Sequence, residues 1–451
     1  MTQSRPTPSS SLTPDVPEIR TEAEGEQPVL DPVLETRAGE ARLLTFGCRM
    51  NTYESEVMRD HARAAGLDNA IIINTCAVTK EAERQARQAI RKARRDNPQA
   101  KIIVTGCAVQ LDPDRFAAMT EVDRVIGNAE KLQADSWRVG SNQPVLVQDI
   151  MTVRETAEHL LSGFEGRDRA FIQVQQGCDH RCTFCIIPFA RGPSRSVALG
   201  PVVEQVRTLV ENGYQEVVLT GVDITSYGHD LPGQPPLGQM VRRLLQLVPD
   251  LPRLRLTSLD PVEIDADLLD LFGREPRLMP HVHLSVQAGD DMILKRMKRR
   301  HLRHHVVDLC QDLRQRRPDV VFGADLIAGF PTETDEMHAN TLRLVEEAGL
   351  TYLHVFPYSP RPGTPAAKIP PVPAEIAKAR AAELRAAGAR QLQAHLRSQV
   401  GQTVTVLFET TTAGHAPDYA TVRVDVPVQE GTLRSVRLTG ATETELLGTV
   451  C

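Results

Sequence analysis

Three cysteines, Cys178, Cys182 and Cys185, fall within eight residues of the stretch GCDHRCTFCIIPFARG. A tetrahedral zinc site takes four protein ligands, and a structural one usually pairs two short ligand spacings across a longer gap. No second pair follows here. A four-iron cubane is held by cysteine thiolates, so three thiolates leave one iron open to chelate a small molecule. The rival readings are a zinc site with His180 as fourth ligand, and three core thiols. CDHRC is too polar for a core, and the open cluster leads. A second set is dispersed: Cys48, Cys76 and Cys107 end the apolar stretches ARLLTFGC, AIIINTC and AKIIVTGC. A lone cysteine at a strand end is commonly a small buried residue. Three at equivalent ends of consecutive strands form a constellation.

The elements that position these thiols follow from periodicity. Helical stretches lie between the three apolar strands: YESEVMRDHARAAG stops on Gly66, and TKEAERQARQAIRKARRDN sets Ala82, Ala86, Ala89, Ile90 and Ala93 on one face. Alternation of continuous apolar strands with helices predicts a parallel sheet, Rossmann-like, over residues 41–140. Parallel strands end on one edge, where open α/β sheets bind ligands, so the three cysteines meet there. Residues 141–168 read as a linker. From 169 to 398, strands are expected at AFIQVQQ, EVVLTGV, RLRLTSL, HVHLSVQ, VVFGADLIAG and TYLHVFPY. A helix over 201–212 carries Val203, Val206, Leu209 and Val210 on one face, and Gly213 stops it. Another is expected to begin near Thr332, capped with Asp335. Six strand–helix units suit a partial TIM-like barrel with its chemistry at the C-terminal strand ends. Residues 399–451 alternate β-branched and polar residues and predict a small β-rich domain. The fold class is therefore α/β with a β-rich appendage.

Residues 1–40 are rich in Pro, Ser, Thr and Glu and are expected to be disordered. They carry three Arg against eight Asp and Glu, so most of the net charge of −6 lies there, and the body is nearly neutral. The N-terminus lacks the order of a signal peptide, and the apolar runs are far short of a membrane span. These features point to a cytoplasmic protein whose eight cysteines stay reduced. Cys310, on a helix face with Val306, Val307 and Leu313, reads as a core thiol, and Cys451 takes no role.

C-x-x-x-C-x-aromatic-C after the first strand of a six-unit barrel resembles the radical S-adenosylmethionine superfamily, with Phe184 as the aromatic. FGCRMNTYESE, INTCAVT and VTGCAVQ, followed by GCDHRCTFCIIPFARG, resemble the methylthiotransferases of that superfamily over roughly residues 41–400. The resemblance implies two four-iron clusters. Cys178, Cys182 and Cys185 would hold the one that binds and cleaves S-adenosylmethionine. Cys48, Cys76 and Cys107 would hold an auxiliary cluster carrying the inserted sulfur. It also implies S-adenosylmethionine contacts from LTGVDITSYG, with Gly221 and Asp223; from HLSVQAGDD, with Gln287; and from GADLIAGFPTET, with Asp325. Ala288 departs from the serine expected before Gly289. Gly221, Gly289 and Gly329 could equally serve strand-to-helix turns. Arg191 and Arg195 suit a carboxylate or phosphate, or stand as solvated loop charges. Arg255 is a candidate for a substrate or cofactor contact.

The implied substrate is an adenosine beside the tRNA anticodon or an aspartate of a ribosomal protein. NTYESE, GPSRS and LTGVDITSYG resemble the threonylcarbamoyladenosine branch; the isopentenyladenosine branch more often has an Asp in place of Glu54. Implied partners are the tRNA anticodon stem-loop, an electron donor such as flavodoxin or ferredoxin, and a sulfur source, with no membrane. The tail resembles the small TRAM domain that such enzymes use to hold RNA, without its dense basic face. Two basic runs bear on RNA: residues 81–95 have six Arg and Lys against two Glu, and 294–305 have six Arg and Lys, three His and no acid. A solvated helix face explains the first equally well, while the second favours a phosphate-contacting surface. Two further rivals are a cobalamin-dependent radical enzyme and a zinc-bearing RNA-binding module. No D-x-H-x-x-G motif occurs in 41–140 to support the corrinoid.

Overall fold

The computed structural model describes residues 41–138, 143–154, 159–164 and 166–451. The expectation of disorder in residues 1–40 lies outside them, as does part of the stretch read as a linker.

Five parallel strands open the chain, in the order β1 (Arg42–Thr45), β2 (Ala70–Thr75), β3 (Lys101–Gly106), β4 (Arg124–Ile126) and β5 (Val145–Leu146). The fifth lies beyond residue 140, within the expected linker, where two residues were too few to signal a strand. Helices α1 (Arg49–Ala64) and α2 (Lys80–Asp96) cross between the first three strands; α3 (Cys107–Leu111) and α4 (Pro113–Ala117) follow β3. Thr79 caps α2 by accepting from the Ala82 N–H, and Ala82, Ala86, Ile90 and Ala93 turn inward. Ile71, Ile72, Ile73, Ile102, Ile103 and Val104 are almost wholly buried, and each such side chain contributes about 1.5–3 kcal/mol by leaving water.

The second unit has six parallel strands in two groups of three. They are β6 (Arg169–Gln173), β9 (Glu216–Thr220) and β10 (Arg253–Leu256), then β11 (His281–Gln287), β12 (Val321–Ala328) and β13 (Leu350–Pro357). A short hairpin, β7 (Gln175–Gln176) with β8 (Arg195–Ser196), follows β6 and encloses α5 (Ile187–Arg191). The two groups meet where the Leu259 N–H donates to His283 O at 2.8 Å and the Ser285 N–H to Leu259 O at 2.9 Å. This is the expected partial barrel. Helices α6 (Leu199–Glu211), α7 (Leu237–Leu247), α8 (Ala266–Arg274), α9 (Asp291–Arg296), α10 (Arg303–Arg316) and α11 (Asp335–Glu347) pack outside it, and α12 (Ala374–Gln399) packs against β13 and α11 and leads into the tail. The cap of α11 is Thr334, two residues later than expected. Thr332 instead stands at φ +72° and takes a hydrogen bond from Arg296. Cys310 is fully buried, as a core thiol should be.

The tail closes into a barrel of β14 (Thr403–Phe408), β15 (Ala413–His415), β16 (Thr421–Val424), β18 (Leu446–Val450) and β17 (Leu433–Ala441). It docks at the N-terminal ends of the central strands. Arg255 donates to Glu216 at 2.6 Å and to the carbonyls of Ala416 and Pro417. Arg169 bonds Glu409 at 2.6 Å, and the guanidinium groups of Arg169 and Arg255 lie 5.2 and 5.1 Å from the Tyr419 ring centre. Arg255 thus joins two barrels, away from the strand ends where a cofactor contact was expected. A mid-strand arginine in sequence does not reveal which end of a barrel a later domain will cover.

His281 stacks on Tyr419 at 5.1 Å in this seam. Burial, then Arg255 and His283, holds its pKa well below the ordinary histidine value. The unfolded chain therefore takes up a proton below about pH 6.5 that the folded chain refuses, and this contribution to stability is lost as pH falls. The unfolding free energy of the parent should fall faster with acidification than that of H281Q, by about 1.2 kcal/mol between pH 6 and 5. Denaturant titrations at the two pH values read this difference, and equal slopes would contradict it.

No helix among the described residues is long and apolar enough to cross a membrane.

Candidate active site

The register brings the dispersed thiols together. Thr45 pairs with Asn74, and Asn74 with Thr105, so β1, β2 and β3 end level, and each cysteine follows within three residues. Gly47 stands at φ +103°, and a Cβ there would lie 2.9 Å from Cys76 Sγ. Glycine before Cys48 is what lets that loop fold back onto Cys76. Burial pushes the Cys76 thiol up to about 12, and the Cys107 and Cys48 sulfurs add to it. Donors are aimed at these sulfurs: Asn128 Nδ2 lies 3.6 Å from Cys107 Sγ, and the Val78 N–H 3.5 Å from Cys76 Sγ. Cys48 is exposed while the other two are buried, so the set opens to solvent on one side.

The triplet sits on the loop between β7 and α5, beyond the C-terminal end of β6. Gly177 again has positive φ, +74°, and a Cβ there would fall 1.9 Å from Pro193 O. The Cys178 N–H donates to Gly192 O, and the Cys185 N–H to Cys182 O. Burial, then Asp223, raises the Cys178 thiol, and burial, with Cys182 adding to it, pushes Cys185 up to about 12. Arg299 Nη1 lies 3.8 Å from Cys182 Sγ, and its other terminal nitrogen holds Asp260 at 2.9 Å. Two groups of three thiols, with Cys76, Cys178 and Cys185 resisting ionisation and each group approached by N–H donors, fit iron–sulfur cores, because coordination deprotonates a thiol outright and the donors stabilise the charge.

His180 faces away from a zinc role with Cys182 and Cys185. Its Nε2 lies 2.8 Å from Asp223 and 3.6 Å from Glu263. Cys178, His180 and Asp223 do place ligand atoms within 4.8 Å of one another, so geometry alone leaves a mixed metal site open.

Of the expected cofactor residues, Asp223 comes nearest the triplet, with its carboxylate 3.7 Å from Cys178 Sγ. Ser226 and Thr225 donate to that carboxylate, and Gln175 accepts from the Val222 and Asp223 N–H groups. Gly221 abuts Gln175, and a Cβ on it would lie 2.9 Å from the Gln175 amide oxygen. Phe184 packs against the cluster of Ala288, Ile293 and Phe330. Gln287 ends β11 at φ +71°, a strained conformation for a residue with a side chain. Asp325 lies deeper, mid-strand, between His283 at 3.0 Å and His354 at 3.2 Å. Burial would raise its carboxyl, but these imidazoles hold it well below the usual range.

Arg191 and Arg195 are both buried, which excludes the solvated-loop reading. The carboxylate that Arg191 serves is the protein's own. It donates to Glu54 at 2.7 Å and to Asn51 at 2.7 Å, while Lys131 Nζ reaches Glu54 at 2.6 Å. Glu54 and Lys131 are fully buried, and Gln176 also donates to Glu54. This network joins the two cysteine sets across the seam between the sheet and the barrel. Arg195 holds the carbonyls of Arg191 and Pro193. Sequence reasoning missed Asn51, Asn128 and Lys131. Asn51 and Glu54 stand one helical turn apart after Cys48, a readable signal; Asn128 and Lys131 carried none.

Many cations of the basic runs pair with the protein's own acids, on the surface along α2. Along α2, Arg84 pairs with Glu81, Lys92 with Asp96 and Arg94 with Asp123. In the second run Arg299 pairs with Asp260, Arg300 with Glu263 and Arg303 with Glu347. The phosphate-contacting surface expected at 294–305 is thus in good part a set of ion pairs, several of them bracing the cysteine loop.

Comparison with known proteins decides what the geometry leaves open. Residues 172–345 match the radical SAM superfamily, and residues 40–127 match the family described as uncharacterized protein family UPF0004. The chain is 55% identical over 401 residues to the threonylcarbamoyladenosine tRNA methylthiotransferase MtaB of Rickettsia prowazekii, covering 89% of this chain and 95% of that one. The chain belongs to the radical S-adenosylmethionine methylthiotransferases. The MtaB of Thermotoga maritima is 39% identical over 73% of this chain and 76% of its own. The tRNA-2-methylthio-N(6)-dimethylallyladenosine synthase of Cereibacter sphaeroides is 34% identical, over 91% and 98%. Among solved structures, the radical S-adenosylmethionine methyltransferase TsrM of Kitasatospora setae aligns with a TM-score of 0.51 at 16% identity, covering 71% of this chain and 69% of that one, a likeness of fold alone. For this methylthiotransferase the zinc-module reading falls away.

Proposed function

We propose that this methylthiotransferase acts on tRNA, placing a methylthio group on C2 of the N6-threonylcarbamoyladenosine beside the anticodon. The observation that carries this reading is the 55% identity to a threonylcarbamoyladenosine enzyme across nearly the whole of both chains, against 34% to the dimethylallyladenosine enzyme. The aspartate of a ribosomal protein and the cobalamin chemistry have no comparable support.

In this reading Cys178, Cys182 and Cys185 would hold one four-iron cluster and leave an iron open for the amino and carboxylate groups of S-adenosylmethionine. Cys48, Cys76 and Cys107 would hold the other. When bound, the barrel cluster with S-adenosylmethionine supplies one-electron cleavage leading to hydrogen abstraction, and the auxiliary cluster supplies the sulfur. The protein's part is orientation and exclusion of water. Asp223, fixed by Ser226 and Thr225, stands where a cofactor ammonium would find a carboxylate. Gln287 and Phe184 would border the cofactor in this reading, while Asp325, kept ionised by two histidines, lies mid-strand in the barrel. The reading calls for a one-electron donor, flavodoxin or ferredoxin, and a sulfur source.

The test is the nucleoside profile of tRNA from a strain lacking this protein. The methylthio derivative of threonylcarbamoyladenosine should vanish and its unmethylthiolated precursor accumulate. Loss of the dimethylallyl derivative instead would transfer the protein to the other branch.

A further inference from the structure

A cleft of about 420 Å³ opens beside both cysteine sets, on the seam between the sheet and the barrel. Its apolar floor includes Ala108, the residue after Cys107, and Ile186, the residue after Cys185. One wall is the start of α2, another is α4, and the third is the loop after β13. Four cationic side chains line it, Lys80, Arg87, Arg115 and Arg361, against two anionic ones, Glu83 and Asp112, a formal excess of two positive charges.

The charges there are arranged differently from those on the rest of α2. Arg84, Lys92 and Arg95 lie outside and pair along the helix, whereas Arg87 turns into the cleft. Its carboxylate partner Glu83 is 4.0 Å away and also pairs with Arg361. Burial, then the like charge of Arg115, disfavours the Arg87 cation. Arg115 and Lys80 enter no salt bridge among the described residues. Arginines gathered in a recess with more positive than negative charge are short of an anion, and a planar guanidinium takes phosphate through two parallel hydrogen bonds.

We infer that this cleft binds the phosphodiester backbone of the RNA substrate, through Arg87 and Arg115 with Lys80 at the rim. The inference rests on the proposed action on tRNA and locates where the strand crosses the enzyme. Arg361 follows the last barrel strand, so the cleft lies on the face where the strands end, and a strand held there runs past both thiol sets.

The test uses the reconstituted full-length enzyme and a fluorescent anticodon stem-loop carrying threonylcarbamoyladenosine, with affinity measured by anisotropy over a range of salt. R87Q/R115Q should bind about tenfold more weakly, and the slope of log affinity against log salt should fall by about one to two, as expected for one or two lost phosphate contacts. R87K/R115K keeps the charge but not the fork, and should restore the salt slope while regaining only part of the affinity; thermal melting of both variants verifies the fold. An affinity and salt slope equal to the parent's in R87Q/R115Q overturns the assignment, including the case where the cleft serves a protein partner. Failure of the function itself is read separately, in the nucleoside profile, which does not depend on this cleft.

Discussion

Alanine at Cys178, Cys182 or Cys185 should reduce S-adenosylmethionine cleavage to background, while alanine at Cys48, Cys76 or Cys107 should spare cleavage and stop methylthiolation. The split follows from position. The triplet lies on the loop above β6, next to Asp223, where the cofactor is expected. The dispersed set lies at the edge of the N-terminal sheet, at the ends of β1, β2 and β3. Removing one thiolate of three leaves a core with two, too few to retain it against exchange. Iron should therefore drop from about eight per chain to about four in either class of variant. Iron counting, deoxyadenosine release in the presence of dithionite, and product analysis on tRNA are three independent readings of the same assignment. If variants of the dispersed set still made the methylthio product, the two-set assignment would be wrong. Variants of that set that lost deoxyadenosine release as well would show that the sets are not separable.

Both sets were legible before any fold was known, for different physical reasons. The triplet is local: its spacing alone requires the three side chains to converge. The dispersed set is readable because strand–helix–strand alternation forces parallel strands, and parallel strands end on one edge. The partial barrel was legible from six apolar strands, although these also carry polar groups such as His283, Asp325 and His354, which meet across β11, β12 and β13. What sequence could not supply was pairing at a distance. Arg191 looked like a free fork for an anion, yet Glu54 lies 137 positions earlier. Arg255 looked like a ligand contact, yet its partners are carbonyls 161 and 162 positions later. Charge runs mislead for the same reason: 294–305 is dense in cations, and the acids that pair with several of them lie on other segments. Thr334 rather than Thr332 caps α11 because Thr332 is drawn to Arg296.

The buried network between the two sets should be as sensitive as the thiols, through stability rather than ligation. Glu54 is fully buried against two cations, Arg191 and Lys131, also buried. Burial alone would raise its carboxyl, but Arg191 and Lys131 hold it below the ordinary glutamate value. Glu54→Ala leaves two charged groups in the seam with no carboxylate, and breaking a buried pair in this way costs about 3–5 kcal/mol. The midpoint of denaturant unfolding should fall accordingly, and part of the iron of both sets should be lost on purification. Glu54→Gln keeps the shape but not the charge and should lose nearly as much, which separates electrostatics from packing. Replacing all three together, as E54L/K131M/R191M, should recover most of the stability, because a buried ion network and an apolar core of similar volume are close in free energy. The triple variant should still make less methylthio product, since Arg191 also anchors Asn51 behind Cys48 and so aligns the sulfur-bearing set with the barrel. A Glu54→Ala protein as stable as its parent would show that the seam is held by apolar packing alone, such as that of Tyr53 and Val57 of α1 among the buried residues of the barrel. A stable triple variant with full activity would show that the network aligns nothing.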